Sequence, residues 1–210
     1  MRVVSPVHSA LALGQRYPFL AFTALTVPAG AVLTWWLDKP LALFLHRYVG
    51  VGAPFFASFT AAVDAAYAAA NVGGRPTLFG GLGLAYVVGR WVLRWRGASV
   101  LLVTLLTHLC SAISANRLRV MVHRPRPAVL FDASATDSFS FPSGHTAIYW
   151  SLFLPLAVAF PRWRLPLLAL PALVALGRLV LEQHYLSDVW AAIWLVAAWT
   201  MLFGLLRRWM

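Results

Sequence analysis

The stretch Ser138–Phe153, SFSFPSGHTAIYWSLF, joins a polar loop to an apolar run that suits a lipid bilayer. Ser143, Gly144 and His145 stand at the junction. Serine is a favourable helix N-cap, so a capped helix that begins near Gly144 is predicted. The first turn of a helix also presents unpaired backbone N–H groups, which favour a bound anion. This stretch alone therefore indicates either a simple helix cap or an anion site.

The composition is typical of an integral membrane protein. The chain has 210 residues, of which 61% are hydrophobic and 11% charged, and its mean hydropathy is +0.76. Soluble domains are about half apolar and about a quarter charged. The formal net charge of +11 comes from arginines scattered between apolar segments, which does not favour a nucleic-acid partner. The single cysteine, Cys110, excludes an intrachain disulfide. Residues 1–16 lack the pattern of a cleaved signal peptide, so none is predicted.

Six segments approach or exceed the length that a spanning helix needs, about 20 mostly apolar residues with a range of roughly 17 to 25. They are Tyr17–Leu37, Thr77–Leu93, Ala98–Val122, Gly144–Phe160, Leu165–Leu181 and Leu186–Leu206. A further segment, Ala53–Ala70, carries Asp64, and a charge in mid-span costs about 2.5–3.5 kcal/mol on insertion scales. Ala53–Ala70 and Pro40–Val49 are therefore predicted to be surface helices. The predicted fold is all-α: one membrane-embedded domain over residues 1–210, with six transmembrane helices and short surface helices between the first and second.

The charge distribution predicts how these helices are oriented. If both chain ends lie inside, the Arg-rich connections Arg94–Gly97 and Pro161–Arg164 are cytoplasmic, as the positive-inside rule favours. All 6 acidic residues then lie in outer segments or at outer helix ends. We therefore expect a multi-pass protein of the bacterial cytoplasmic membrane. Its polar clusters would share the outer, periplasmic face.

A basic cluster, Arg117–Pro127, lies on that face. It reads RLRVMVHRPRP: four arginines close a long apolar helix, which Pro125 and Pro127 prevent from continuing. An anchor in lipid headgroups is one interpretation, and a phosphate site is the other. His108, in the middle of the same helix, is predicted to be a neutral histidine hydrogen-bonded to a neighbouring helix.

The third polar cluster is Gly177–Val189, GRLVLEQHYLSDV. His184 and Asp188 are four residues apart and share one face if the segment is helical. A carboxylate at that spacing can hold an imidazole tautomer, as in a nucleophile site. A salt bridge among Arg178, Glu182 and Asp188 is the structural alternative. Taken with the other two clusters, the sequence predicts a phosphate site with one attacking histidine and one proton-donating histidine.

These motifs resemble the signature of the type 2 phosphatidic acid phosphatase superfamily, which also includes the vanadium haloperoxidases. The signature is K-x-x-x-x-x-x-R-P, then P-S-G-H, then S-R-x-x-x-x-x-H-x-x-x-D. Pro142–His145 matches the second motif completely. The third motif matches from Arg178 through His184 to Asp188, but Gly177 replaces its serine.

The first motif fits in two registers, and in both an arginine replaces the leading lysine. Arg117 with Arg124 has the right spacing, and so does Arg119 with Arg126. The second register is preferred because family members commonly read R-P-R-P with the second arginine in the motif. The motifs then lie within residues 119–188.

The resemblance implies a phosphatase that needs no metal and no cofactor. His184 would attack phosphorus and form a phosphohistidine, and Asp188 would hold His184 in the reactive tautomer. His145 would protonate the leaving oxygen and then activate water. The implied phosphate-binding residues are Arg119, Arg126, Ser143, Gly144 and Arg178.

A site at the outer leaflet suits a lipid phosphate substrate, with membrane lipids as the other partners. Undecaprenyl diphosphate, phosphatidylglycerol phosphate, phosphatidic acid and lipid A phosphates all fit, and a lipid phosphotransferase would use the same site. Haloperoxidases of this superfamily are soluble, so the hydropathy argues against that branch. A relict without activity is disfavoured because His145, His184 and Asp188 are all present. The oligomeric state is left open.

Overall fold

The computed structural model describes residues 18–71, 77–132, 134 and 139–206. Within these residues the chain is helical and contains no strand, only an isolated bridge between Pro125 and Phe139. The α-helices are α1 Pro18–Val32, α2 Asp38–Phe44, α3 Ala53–Ala70, α4 Thr77–Val87, α5 Ser99–Val122, α6 Gly144–Ala159, α7 Arg164–Val180 and α8 Leu186–Leu206. The π-helical turns Leu33–Leu37, Leu45–Val49 and Val88–Val92 extend α1, α2 and α4, and short 3-10 turns lie at Gly50–Gly52, Arg96–Ala98, Pro127–Leu130 and Pro161–Trp163.

The predicted all-α fold is confirmed. When the π-helical turn Val88–Val92 is counted with α4, five of the predicted spans coincide with helices to within one residue at each end. The first predicted span begins at Tyr17, which lies outside the described residues. Residues 1–16 lie outside them as well, so the prediction that they hold no signal peptide is not tested. Four helical stretches of the described residues are long and apolar enough to cross a membrane. They are Phe19–Ala70, Ser99–Val122, Pro161–Val180 and Leu186–Leu206. Thr77–Val92 and Gly144–Ala159 are apolar but shorter, so the predicted count of six spans is not confirmed.

Small side chains bring the central helices α5, α6 and α8 together. Ala115, Ala147 and Ala192 are buried where these helices meet, with Leu195 and Val196 beside them. A helix interface made of small residues lets backbones approach closely when no hydrophobic effect drives association. This packing brings the end of α5, the start of α6 and the α7–α8 connection to one end of the bundle.

The helix α3 runs from that end towards the middle of the bundle. Near its start, Phe56 and Thr60 pack against Gly177, close to the end of α7. Near its end, the Tyr67 hydroxyl lies 3.0 Å from His108 Nε2. His108 precedes Arg119 by eleven residues on α5, which is about 16 Å along a helix. The predicted surface position of Ala53–Ala70 is therefore not confirmed.

The helix α4 begins beside His108, which is also where α3 ends. The Phe79 ring lies 5.2 Å from the His108 ring. Gly89 packs against Ala98, at the opposite end of α5 from Arg119. Because α4 covers only part of the length of α5, α3 fills the space between α4 and the polar end of the bundle. The predicted hydrogen bond of His108 to a neighbouring helix is confirmed, since its Nδ1 lies 2.7 Å from the Ser151 hydroxyl of α6.

Candidate active site

The start of α6 is capped by Ser143. The Ser143 hydroxyl accepts hydrogen bonds from the Thr146 backbone N–H at 3.4 Å and from the Thr146 hydroxyl at 2.8 Å. The side chain of Ser143 is fully buried, and its own N–H donates to the Asp188 carbonyl at 3.2 Å. The structure thus shows the helix cap, and a contact between Ser143 and phosphate stays a prediction.

Gly144 leaves space for an arginine of the first motif. A Cβ atom at position 144 would collide with the guanidinium of Arg119, which lies against this glycine. The missing side chain therefore lets the end of α5 and the start of α6 meet. This contact joins the first two motifs in space.

Three arginines from different elements form one cluster: Arg119 of α5, Arg126 of the following loop and Arg178 of α7. Gln183 Oε1 accepts hydrogen bonds from Arg126 Nη1 and, at 3.5 Å, from Arg178 Nη2. Burial and the charge of Arg119 lower the pKa of Arg126. The Nε atoms of all three arginines are buried and have no hydrogen-bond partner within the described part of the chain. Unpaired, buried guanidinium donors that converge in this way suit an anion with several oxygens.

Arg124 has a different environment. Its guanidinium lies 2.7 Å from Asp188 Oδ1 and 2.7 Å from Asp38 Oδ2, and it covers the Tyr185 ring at 4.2 Å. Burial lowers the pKa of Arg124, but Asp188 and Asp38 together raise it above its ordinary value. Arg117 is exposed on α5. Of the two registers of the first motif, the structure therefore groups the preferred one, Arg119 and Arg126, with Arg178.

His184 is buried between α7 and α8, and its tautomer follows from its hydrogen bond. Its Nδ1 lies 2.7 Å from the Ser140 carbonyl and 3.8 Å from Asp188 Oδ2. A carbonyl can only accept, so Nδ1 carries the proton and Nε2 keeps its lone pair. Ser140 is thus the nearer group that fixes the tautomer predicted to be held by Asp188. Burial lowers the pKa of His184, and Asp188 opposes this only in part.

The predicted structural alternative, a salt bridge among Arg178, Glu182 and Asp188, is not observed. Asp188 pairs with Arg124, and its Oδ2 accepts the Tyr185 backbone N–H at 2.7 Å. Glu182 Oε1 lies 2.7 Å from His46 Nδ1, beyond the end of α2. The carboxylate that contacts His145 of the second motif is instead that of Asp64 of α3.

Sequence reasoning missed that contact. Asp64 Oδ2 lies 3.0 Å from His145 Nε2, and Asp64 Oδ1 accepts the Tyr149 hydroxyl at 2.6 Å. It also missed Asp38, which accepts from the Ser187 backbone N–H at 2.9 Å. One signal was available for Asp64: a carboxylate within an apolar, Ala-rich helix is costly and is often functional.

Within the described residues, no group of three or more His, Cys, Asp or Glu side chains is placed to hold a metal ion. The prediction that the reaction is independent of metals is not tested by that finding.

Parts of this chain are similar to known proteins. A stretch of 96 residues is 32% identical to the lipid A 1-phosphatase of Rhizobium johnstonii and to that of Rhizobium etli. It covers 41% of this chain, and it spans 39% and 41% of the length of those two relatives. A crystal structure of the first transmembrane PAP2 type phosphatidylglycerolphosphate phosphatase from Bacillus subtilis is 21% identical, covering 78% of this chain and 98% of that chain with a TM-score of 0.43. Residues 96–209, more than half of the chain, match the family model of the PAP2 superfamily, and the chain therefore belongs to this family.

Proposed function

We propose that this protein is a membrane lipid phosphate phosphatase that works through a phosphohistidine on His184. The observation that carries the proposal is the cluster of Arg119, Arg126 and Arg178, which lies beside two histidines. The buried Nε atoms of these arginines have no hydrogen-bond partner among the described residues. A phosphate group offers enough oxygen acceptors to satisfy those donors. Membership of the PAP2 superfamily and the names of the relatives support a phosphatase.

The reaction follows from the protonation of the two histidines. Nε2 of His184 attacks phosphorus with its lone pair, and the bond from phosphorus to the leaving oxygen breaks. His145 gives its proton to that oxygen. A phosphomonoester then loses an alcohol, and a diphosphate loses a lipid phosphate. His145 then accepts a proton from water, which attacks the phosphohistidine, and the P–N bond breaks. Inorganic phosphate is released, and the neutral imidazole of His184 is restored.

The arginines and the backbone N–H of Gly144 stabilise the charge on the equatorial oxygens of phosphorus. These donors are already positioned before the reaction, so they need not reorganise as charge develops. Arg178 is buried at the end of α7, and Arg126 shares Gln183 with it. That shared acceptor supports a fixed arrangement of the two guanidinium groups.

The candidate substrates are phosphatidic acid, phosphatidylglycerol phosphate, undecaprenyl diphosphate and lipid A. The matched relatives are lipid A 1-phosphatases, which supports adding the 1-phosphate of lipid A to the assay. The chain would cross the bacterial cytoplasmic membrane six times. The crossings would be made by α1, by α3 together with α4, and by α5, α6, α7 and α8. The site would then lie at the outer, periplasmic face.

The test is release of inorganic phosphate by the detergent-purified protein from each of these lipids, with EDTA present. His184→Asn should abolish release, while His123→Asn, at an exposed histidine beyond the site, should keep it. Release that needs an added metal ion, or that persists in His184→Asn, would overturn the mechanism. Transfer of phosphate to a second lipid without release would identify a phosphotransferase.

A further inference from the structure

We propose that Asp64 is a positioning residue for His145: it holds the imidazole so that Nδ1 exchanges the proton with the leaving oxygen. The proposal rests on the proposed function and adds a fourth element, α3, to a site otherwise composed of the three motifs. Asp64 lies outside all three motifs, 55 residues before Arg119 in the chain.

Both oxygens of the Asp64 carboxylate are engaged by α6. Oδ2 lies 3.0 Å from His145 Nε2, and Oδ1 accepts the Tyr149 hydroxyl at 2.6 Å. His145 and Tyr149 are four residues apart, so they lie on one face of α6. Since an ionised carboxylate can only accept, Nε2 of His145 carries a proton. In neutral His145 the lone pair is then on Nδ1, which is the nitrogen left to exchange a proton.

The charges around His145 give the carboxylate a second role. Arg178 of α7 and Arg119 of α5 each place a positive charge near this histidine. Asp64 of α3 places a negative charge 3.0 Å from its Nε2. A general acid must carry its proton when the leaving oxygen departs. With two arginines suited to phosphate nearby, His145 needs a negative charge beside it to carry that proton. Asp64 supplies this charge.

The packing of α3 holds Asp64 at this place. On one side of Asp64, Phe56 and Thr60 pack against Gly177, which carries no side chain. On the other side, the Tyr67 hydroxyl lies 3.0 Å from His108 Nε2. Both contacts join α3 to the helices that carry Arg119 and Arg178. The carboxylate thus sits between two fixed points, each less than three helical turns away.

The experiment compares two substrates that differ in the basicity of the leaving oxygen. The leaving group of phosphatidic acid is an alkyl alcohol, whose oxygen needs a proton. The leaving group of 4-nitrophenyl phosphate is a weakly basic phenolate, which does not. The assay is kcat/KM of the detergent-purified wild type, Asp64→Asn and Asp64→Glu. Asp132→Asn is the matched control, because Asp132 is an exposed carboxylate that bonds only Ser134 among the described residues.

We expect Asp64→Asn to lower kcat/KM for phosphatidic acid by about 10²-fold, within the range that a general acid contributes, and for the aryl phosphate by less than about 5-fold. Asp64→Glu should restore part of the loss. The alkaline limb of the pH profile should move to lower pH in Asp64→Asn, because the remaining neighbours Arg119 and Arg178 disfavour a protonated ring.

Equal losses on both substrates with an unchanged pH profile would mean that Asp64 only docks α3, and the proposal would be overturned. Wild-type rates in Asp64→Asn on both substrates would overturn it as well, while leaving the phosphatase function intact. Failure of the proposed function gives a different result, since the wild type would then release no phosphate from either substrate.

Discussion

His184 is prepared for attack by burial and by a backbone carbonyl. Burial lowers its pKa below the ordinary value of about 6.5. The imidazole is therefore neutral at pH 7, and the nucleophilic form is lost only when the pH falls through the lowered pKa. We expect the acid limb of kcat/KM, corrected for ionisation of the substrate phosphate, to lie below pH 6.5. A profile measured from pH 4.5 to pH 8 checks this, and an acid limb at or above the ordinary value would contradict it.

Arg124 and Arg126 are two residues apart, yet they should respond differently to truncation. Arg124→Ala leaves Asp38 and Asp188 buried without their partner, which typically costs about 3–5 kcal/mol. Arg126→Ala removes a cation that Arg119 repels, so it should change the unfolding temperature little while raising KM about tenfold or more.

Thermal unfolding in detergent, measured beside kcat and KM, separates these two effects. A large loss of stability in Arg126→Ala, with a purely kinetic defect in Arg124→Ala, would show that the other register of the first motif binds phosphate.

Among the elements, α3 depends on the glycine at position 177, where the family pattern has serine. A Cβ here would meet Phe56 Cδ1 at 3.1 Å and Thr60 Oγ1 at 3.4 Å, so α3 would have to move by a few tenths of an ångström. We expect Gly177→Ser to destabilise the protein by about 1–3 kcal/mol, as overpacking does. It should also lower kcat/KM for phosphatidic acid more than for 4-nitrophenyl phosphate, because Asp64 moves with the helix.

Gly204→Ser is the control for that measurement, since a Cβ at position 204 of α8 would meet no atom of the described residues within 4 Å. If Gly177→Ser matches Gly204→Ser in both stability and substrate preference, the close packing of α3 is not what holds Asp64 in place.

The elements also show what the sequence could and could not predict. The bounds of α5 to α8 followed from the length of apolar runs and from the polar residues that interrupt them. The grouping of His145, Arg178 and His184 followed from motif order and topology. The position of α3 did not follow, because it is fixed by contacts with three different helices. Thr60 lies against Gly177 of α7, Asp64 against His145 of α6 and Tyr67 against His108 of α5. No local periodicity records such contacts, so the carboxylate of Asp64 in an apolar helix was interpreted as a surface feature.

At the scale of the whole molecule, the orientation in the membrane decides which leaflet supplies the substrate. Asp38 and Glu182 contact Arg124 and His46, which places the start of α2 and its extension at the same end as the site. The 3-10 turns at Arg96–Ala98 and Pro161–Trp163 lie at the other end and carry arginines. On the positive-inside rule, we expect the end with these two short connections to face the cytoplasm, which would put the site at the outer face.

Cysteine labelling in intact cells tests this orientation directly, since Cys110→Ala removes the single native thiol. Val51→Cys and Asp132→Cys should react with a membrane-impermeant maleimide without permeabilisation, because both positions are exposed and lie at the site end. Arg94→Cys and Arg162→Cys, exposed at the opposite end, should react only after permeabilisation. If Val51→Cys reacts only after permeabilisation while Asp132→Cys reacts without it, Ala53–Ala70 crosses the membrane by itself. The fully reversed pattern would place the arginine cluster on the cytoplasmic leaflet, where phosphatidic acid rather than a periplasmic lipid would be the first substrate to test.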